Sequence, residues 1–149
     1  MGFLRETRLS KEEKLTIEEN LKWQKKLKLI LKKILKKIMK KLSITIGICA
    51  YNEEKNIGFL LQSLLNQHLQ IVSIDEIIVI SDGSTDGTNN IANDFCKQDK
   101  RIKLVELKYR GGKARAINRL LKIAKSKYIV LECADTLPGP ETIERLCLP

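Results

Sequence analysis

A chain of 149 residues, 43% hydrophobic and 31% charged with a formal net charge of +10, is long enough for one globular domain with an appendage, or for a piece of a larger protein, and does not have a disordered composition. Its four cysteines, Cys49, Cys96, Cys133 and Cys147, make no CxxC pair, and His68 is the only histidine, which argues against a structural zinc site. No apolar run approaches a bilayer span and no secretory signal is evident at the amino terminus, so the expected setting is reducing and cytoplasmic.

The charge is unevenly placed. Residues 20–43 hold ten lysines and no acid, residues 1–19 four basic and five acidic groups, and residues 44–149 fourteen and thirteen. The excess thus belongs to one segment, and the remainder offers no general nucleic-acid-binding surface. Ser10-Lys11-Glu12-Glu13 and Thr16-Ile17-Glu18-Glu19 both fit the capping box, so a helix begins at one of them and runs to about Lys41. Leu27, Ile30, Leu31, Ile34, Leu35, Ile38, Met39 and Leu42 share one face, with Trp23 at its edge and Leu29 outside it. Lys25, Lys32, Lys33, Lys36, Lys37 and Lys40 take the opposite side. Three partners fit such a helix: an anionic membrane surface that admits the apolar face, a protein partner or the chain's own domain, and nucleic acid through phosphate contacts. The completeness of the apolar stripe ranks the third below the other two. A peripheral position at the cytoplasmic membrane face, through residues 20–43, is therefore one expectation.

From Ser43 onward strands and helices alternate. Strands are expected over 43–50 (SITIGICA), 76–80, 102–107 and 128–131, and helices over 53–69, 86–97, 113–125 and about 140–146. Ile57, Leu60, Leu61, Leu64 and Leu65 should face inward from the first of these helices. Ile91, Ala92 and Phe95 should do so from the second, and Ala116, Ile117, Leu120, Leu121 and Ala124 from the third. A β-α-β-α-β-α-β order implies a parallel sheet with right-handed crossovers.

The unusual residues fall at the carboxyl ends of these strands, where open α/β sheets bind ligands. They are Ala50-Tyr51-Asn52-Glu53-Glu54, Ser81-Asp82-Gly83-Ser84, Tyr109-Arg110-Gly111-Gly112-Lys113 and Glu132-Cys133-Ala134-Asp135. Taken singly, the second is an ordinary strand-to-helix turn, and the third is as good a Gly-rich connection as a phosphate loop. Together they put carboxylates, a glycine pair and the cations Arg110, Lys113 and Arg115 on one rim. That mixture suits a phosphate held with a divalent metal, for which Asp135 is the natural ligand. Neither GxGxxG after the first strand nor GxxxxGK[ST] is present.

In order and spacing, ITIGICAYNEEKNI, IDEIIVISDGSTDGT, GGKARAIN and YIVLECADTLP resemble the N-terminal, donor-binding half of family 2 glycosyltransferases of the GT-A fold. The resemblance covers about residue 43 to the end. It implies a Rossmann-like GT-A parallel sheet flanked by helices, here truncated and preceded by the basic amphipathic helix. Domains of 1–42 and 43–149 follow. The resemblance further implies transfer of a sugar from a UDP- or GDP-sugar to an acceptor, assisted by Mg²⁺ or Mn²⁺. On it, Tyr51 and Glu53 line the base pocket, Ser81 and Asp82 match a pair of acids near base and ribose, and Lys113 lies near the nucleotide or its phosphates. Cys133-Ala134-Asp135 matches an Asp-x-Asp whose last acid, Asp135, binds the metal. Two departures stand out: Ser81 replaces an acid, and Cys133 replaces the first Asp, a soft thiol where a hard ligand is usual. Strand alternation turns the neighbouring Glu132 to the other face.

In this family the acceptor site and general base come later in the chain. Because this chain ends fourteen residues after Asp135, the expectation is a truncated or split enzyme whose acceptor half comes from a second chain, with a sheet edge or apolar face left for it. The alternative is a non-catalytic nucleotide-binding or membrane-surface fragment.

Overall fold

The computed structural model describes residues 11–38 and 41–148, and the chain divides into two units, Met1–Lys40 and Lys41–Pro149. In the first, helix α1 spans Lys11–Ile38. Leu, Ile, Lys and Glu dominate it, and no Gly or Pro interrupts it. Its acids cluster in the amino-terminal third and its lysines toward the carboxyl end, which complements the helix dipole. The helix has begun by Lys11, so the pattern from Thr16 to Glu19 lies inside it. Ser10, Met39 and Lys40, and the side chains of Lys11, Glu12, Glu13, Lys33, Leu35, Lys36, Lys37 and Ile38, lie outside the described residues.

The second unit runs β1 (Leu42–Ala50), α2 (Ile57–Leu65), β2 (Val72–Asp82), α3 (Thr88–Gln98), β3 (Ile102–Leu107), α4 (Lys113–Ile123), β4 (Tyr128–Cys133) and α5 (Thr142–Leu146). The strands form one parallel sheet in the order β3-β2-β1-β4. The chain winds outward from β1 to β3, then returns past β1 to place β4 on its other side. That reversal sends α4 to the face opposite α2 and α3. Ile77 and Val79 pack with α2, α3 and α5, while Ile78 and Ile80 pack with Ala116 and Leu120 of α4. A strand covered on both faces reads as a continuous apolar run, as β2 does. Each such fully buried Ile or Leu contributes about 1.5–3 kcal/mol. At Gly47 of β1 an added Cβ would lie 2.0 Å from Leu120 Cδ2, so the close seating of α4 depends on that glycine.

Several element limits differ from the expected ones. β2 begins four residues early, at Val72, and bulges against β1: Ile44 pairs with Ile74 and Thr45 with Glu76. The skipped Asp75 accepts hydrogen bonds from the hydroxyls of Ser43 and Ser73. α2 is shorter than residues 53–69 at both ends. At its start the N–H groups of Glu53 and Glu54 bond to Thr88 and Asp86, and at its end the His68 N–H goes to the Pro140 carbonyl. β4 extends two residues further, to Cys133. Leu121, expected inward, is exposed; α4 buries only Ala116 and Leu120 fully.

Two acids hold the amino end of the sheet. Glu144 of α5 accepts the N–H groups of Gln70, Ile71 and Val72 at 3.1, 2.7 and 3.2 Å. The bond from Ile71, then those from Val72 and Gln70, hold its carboxyl below the ordinary value against the effect of burial. Glu76, 3% exposed, accepts from Thr45 Oγ1, the Lys125 N–H and the Lys103 ammonium. Burial alone would raise its carboxyl, but these three donors carry it below the ordinary value.

Candidate functional site

Because the chain winds outward from β1 through β2 to β3 and then crosses back to place β4 on the other side of β1, a crevice opens at the carboxyl ends of β1 and β4, the topological switch point where such sheets bind ligands. A cleft of about 320 Å³ lies there, lined by Cys49, Ala50, Tyr51 and Glu53 from β1 and its loop, Asp82 from β2, Arg110, Gly112, Lys113 and Ala116 from the β3–α4 connection and α4, and Cys133, Ala134 and Asp135 from β4.

Neighbouring loops fix its walls. Asn52 adopts a left-handed backbone (φ 53°); its N–H donates to Ser84 Oγ and its side-chain oxygen accepts from the Thr85 N–H. Asp86 accepts from the Glu54 N–H and from both the N–H and hydroxyl of Thr88. Burial pushes the Asp86 carboxyl up, yet these bonds hold it below its ordinary value. Glu54 in turn accepts from the Gly87 N–H at 2.8 Å. Gly83 has φ 72°, and a Cβ there would meet the backbone nitrogen of Arg110 at 2.5 Å. The β2–α3 turn and the β3–α4 connection therefore touch backbone to backbone.

The charged groups divide by what engages them. Asp82, 5% exposed, receives the Gly111 N–H at 2.9 and 3.0 Å on its two oxygens and the Gly112 N–H at 2.6 Å. It clamps the glycine pair that presents Lys113. The Lys113 ammonium lies 3.2 Å from Cys133 Sγ. That hydrogen bond, with the charges of Cys133, Cys49 and Asp135, holds it above the ordinary lysine value. Cys49 pairs in register with Cys133; burial pushes its thiol up while the Lys113 charge pulls it down. The Arg110 guanidinium stacks 4.0 Å from the centre of the Tyr51 ring. Asp135 is exposed, and no protein donor among the described residues bonds its carboxylate.

The model of the glycosyl transferase family 2 matches residues 45–148. The chain belongs to glycosyl transferase family 2. Among its family relatives, an uncharacterized glycosyltransferase of Haemophilus influenzae is 37% identical over 103 residues, 69% of this chain and 31% of that protein. The crystal structure of S. aureus TarS 1-349 in complex with UDP-GlcNAc aligns with a TM-score of 0.61 and 28% identity, covering 70% of this chain and 30% of that one. The mannosyltransferase PcManGT from Pyrobaculum calidifontis, in complex with GDP-Man and Mn²⁺, aligns at 0.59 and 28%, covering 71% and 32%. The chain spans about a third of the length of the curated relatives it matches.

Seven of the eight residues singled out on the family resemblance, Tyr51, Glu53, Asp82, Lys113, Cys133, Ala134 and Asp135, line this one cleft. Ser81 does not; it is buried and donates to Ser84 Oγ at 2.8 Å. Arg115, expected among the rim cations, turns to the Tyr109 carbonyl at 3.1 Å and leaves the cleft to Arg110 and Lys113. Glu132 is likewise away from the cleft and accepts from Thr136 Oγ1. Cys49 is the lining residue that strand pattern alone does not reveal. Only the β1–β4 register brings it beside Cys133, and both are apolar-strand cysteines in sequence.

A divalent cation fits this family 2 cleft in one manner. Among the described residues no three His, Cys, Asp or Glu side chains gather to hold a metal. Asp135 offers a single hard oxygen ligand free of protein donors, and the adjacent thiol is soft. Such a donor set suits a cation whose remaining ligands are phosphate oxygens and water, the habit of Mg²⁺ and Mn²⁺ at nucleotide sites.

Proposed function

We propose that this family 2 chain forms the donor-binding part of a nucleotide-sugar glycosyltransferase. The observation that carries the reading is the meeting, in one cleft, of an aromatic ring stacked with a guanidinium, a lysine ammonium, and a carboxylate that no protein donor among the described residues engages. Tyr51 and Glu53 would bound the nucleobase end, where a flat ring offers stacking and a carboxylate accepts base N–H groups. Lys113, held as an ammonium by its surroundings, faces the negative charge of the diphosphate. Asp82, which the family resemblance places near the base and ribose, would act there while fixing Gly111 and Gly112, and with them the start of α4. Cys133 and Ala134 would form the wall next to the ribose, a thiol there replacing the family's acid. Asp135 would hold Mg²⁺ or Mn²⁺; bound there, the cation supplies Lewis-acid stabilisation of the departing nucleoside diphosphate. The nucleotide complexes of TarS and PcManGT support a UDP- or GDP-sugar as donor. Transfer to an acceptor is proposed for the whole enzyme, whose acceptor side a further segment or a second chain would bring.

The test is calorimetric titration of UDP and of GDP, with and without Mn²⁺, into the wild-type protein and Asp135→Ala. The expected result is nucleotide binding that strengthens with Mn²⁺ and loses that metal dependence in Asp135→Ala. Absence of binding of either nucleotide by folded wild-type protein would overturn the donor-site reading.

A further inference from the structure

The cleft does not account for α1. Along its carboxyl-terminal two thirds this helix carries two unlike faces. Trp23, Leu27, Ile30, Leu31 and Ile34 lie on one side, and all five are exposed, from 41% at Ile30 to 68% at Trp23. Lys22, Lys25, Lys26, Lys28 and Lys32 are exposed on the other. At 28 residues the helix is about 42 Å long, yet no helix of the described residues is apolar enough to cross a membrane. A strongly amphipathic helix that is polar taken as a whole, with lysines on one face and Trp, Leu and Ile on the other, suits the plane of a lipid interface.

We propose that α1 lies in the headgroup region of an anionic lipid surface, with the Trp23–Ile34 stripe immersed and the lysines on the lipid phosphates. Charge selects this occupant over the others. A second copy of α1 would cover the apolar stripe but leave the lysine faces of both helices pointing outward, with no acid between residues 20 and 43 to balance them. The chain's own α/β unit is nearly neutral, with fourteen basic and thirteen acidic groups over residues 44–149, so it offers no complementary field. Nucleic acid satisfies the lysines but leaves a continuous apolar stripe in water. An anionic lipid surface accommodates both faces at once. Trp23 sits where interfacial tryptophan is favoured, and the Lys26 ammonium lies 5.4 Å from its ring. The proposal is independent of the donor-site reading.

Trp23 is the protein's only tryptophan, so it reports on the helix directly. The full chain is mixed with vesicles of phosphatidylcholine alone and of phosphatidylcholine with phosphatidylglycerol, and both Trp emission and co-sedimentation are followed at low and high salt. The expected result is a blue shift and co-sedimentation with the anionic vesicles only, weakened by salt. Each lysine near such a surface multiplies binding by about fivefold, so converting Lys22, Lys25, Lys26 and Lys32 together to Gln lowers partitioning by at least about a hundredfold. The pair Ile30→Gln and Ile34→Gln abolishes the blue shift. Lack of partitioning into anionic vesicles, equal partitioning into neutral ones, or binding to an RNA or DNA duplex at the same salt that outcompetes the vesicles would each overturn the proposal.

Discussion

At the amino end of the sheet Glu76 and Glu144 each accept three hydrogen bonds from protein donors, whereas at the carboxyl end Asp135 accepts none among the described residues. Asp82 stands between these cases, with both oxygens engaged yet its side chain lining the cleft. The contrast separates acids that hold strands in place from acids left open to something outside the protein. Burial runs parallel to the distinction, since Glu76, Glu144 and Asp82 are buried while Asp135 is exposed. What matters is the donor each faces. An acid surrounded by N–H groups and an ammonium is already neutralised, whereas an exposed acid near Lys113 keeps lone pairs for a ligand.

Substitutions test that division, and the largest effect is expected where backbone meets backbone. Gly83→Ala forces a left-handed residue against the Arg110 nitrogen and should cost about 3 kcal/mol in urea unfolding while also displacing the loop that carries Lys113. Glu76→Ala removes three bonds from a buried acid and should cost about 2–3 kcal/mol. Its folded fraction should still bind nucleotide with the wild-type constant, measured by calorimetry; lost affinity would show that the two ends of the sheet are not independent.

Acidification sharpens the same comparison. The carboxyls of Glu76, Glu144 and Asp86 are held below their ordinary values. The stability they contribute is therefore fully present above the unfolded-chain value of about 4.3 for Glu and about 3.9 for Asp, and it is lost as pH falls through the lowered folded values. A thermal-unfolding series below about pH 5 should show a falling midpoint, and Glu144→Gln should flatten it. The smallest stability change is expected at Asp135→Ala, under about 0.5 kcal/mol, although this substitution should remove all dependence of nucleotide binding on Mn²⁺. A large loss of stability there would place Asp135 with the structural acids.

Much of this arrangement was legible in the residues. The alternation of strand and helix, the limits of the third strand at residues 102–107, the inward faces of α2 and the gathering of Tyr51, Lys113 and Asp135 at strand ends all follow from local periodicity and turn chemistry. The roles of individual acids were less accessible. Asp82 reads as a ligand group because it ends a buried strand, yet its partners are the glycine pair 29 and 30 residues further on. Arg115 sits one turn into a helix beside Lys113 in sequence, and only the path of the β3–α4 connection shows that it bonds the Tyr109 carbonyl instead.

Hydrophobic period and capping residues act over a few positions, so the sequence by itself determined the kinds and order of the elements, the two-faced nature of α1 and the end of the sheet that carries polar residues. Tertiary structure decided the strand order β3-β2-β1-β4, and with it everything that depends on which strands are neighbours. That order sets Cys49 beside Cys133, seats α4 on Gly47, and opens the crevice between β1 and β4. Glu144 reaches residues 70–72 only because the chain brings α5 back to the start of β2. These contacts join residues tens of positions apart. Their energy comes from burial and hydrogen bonds that exist only once the sheet has assembled.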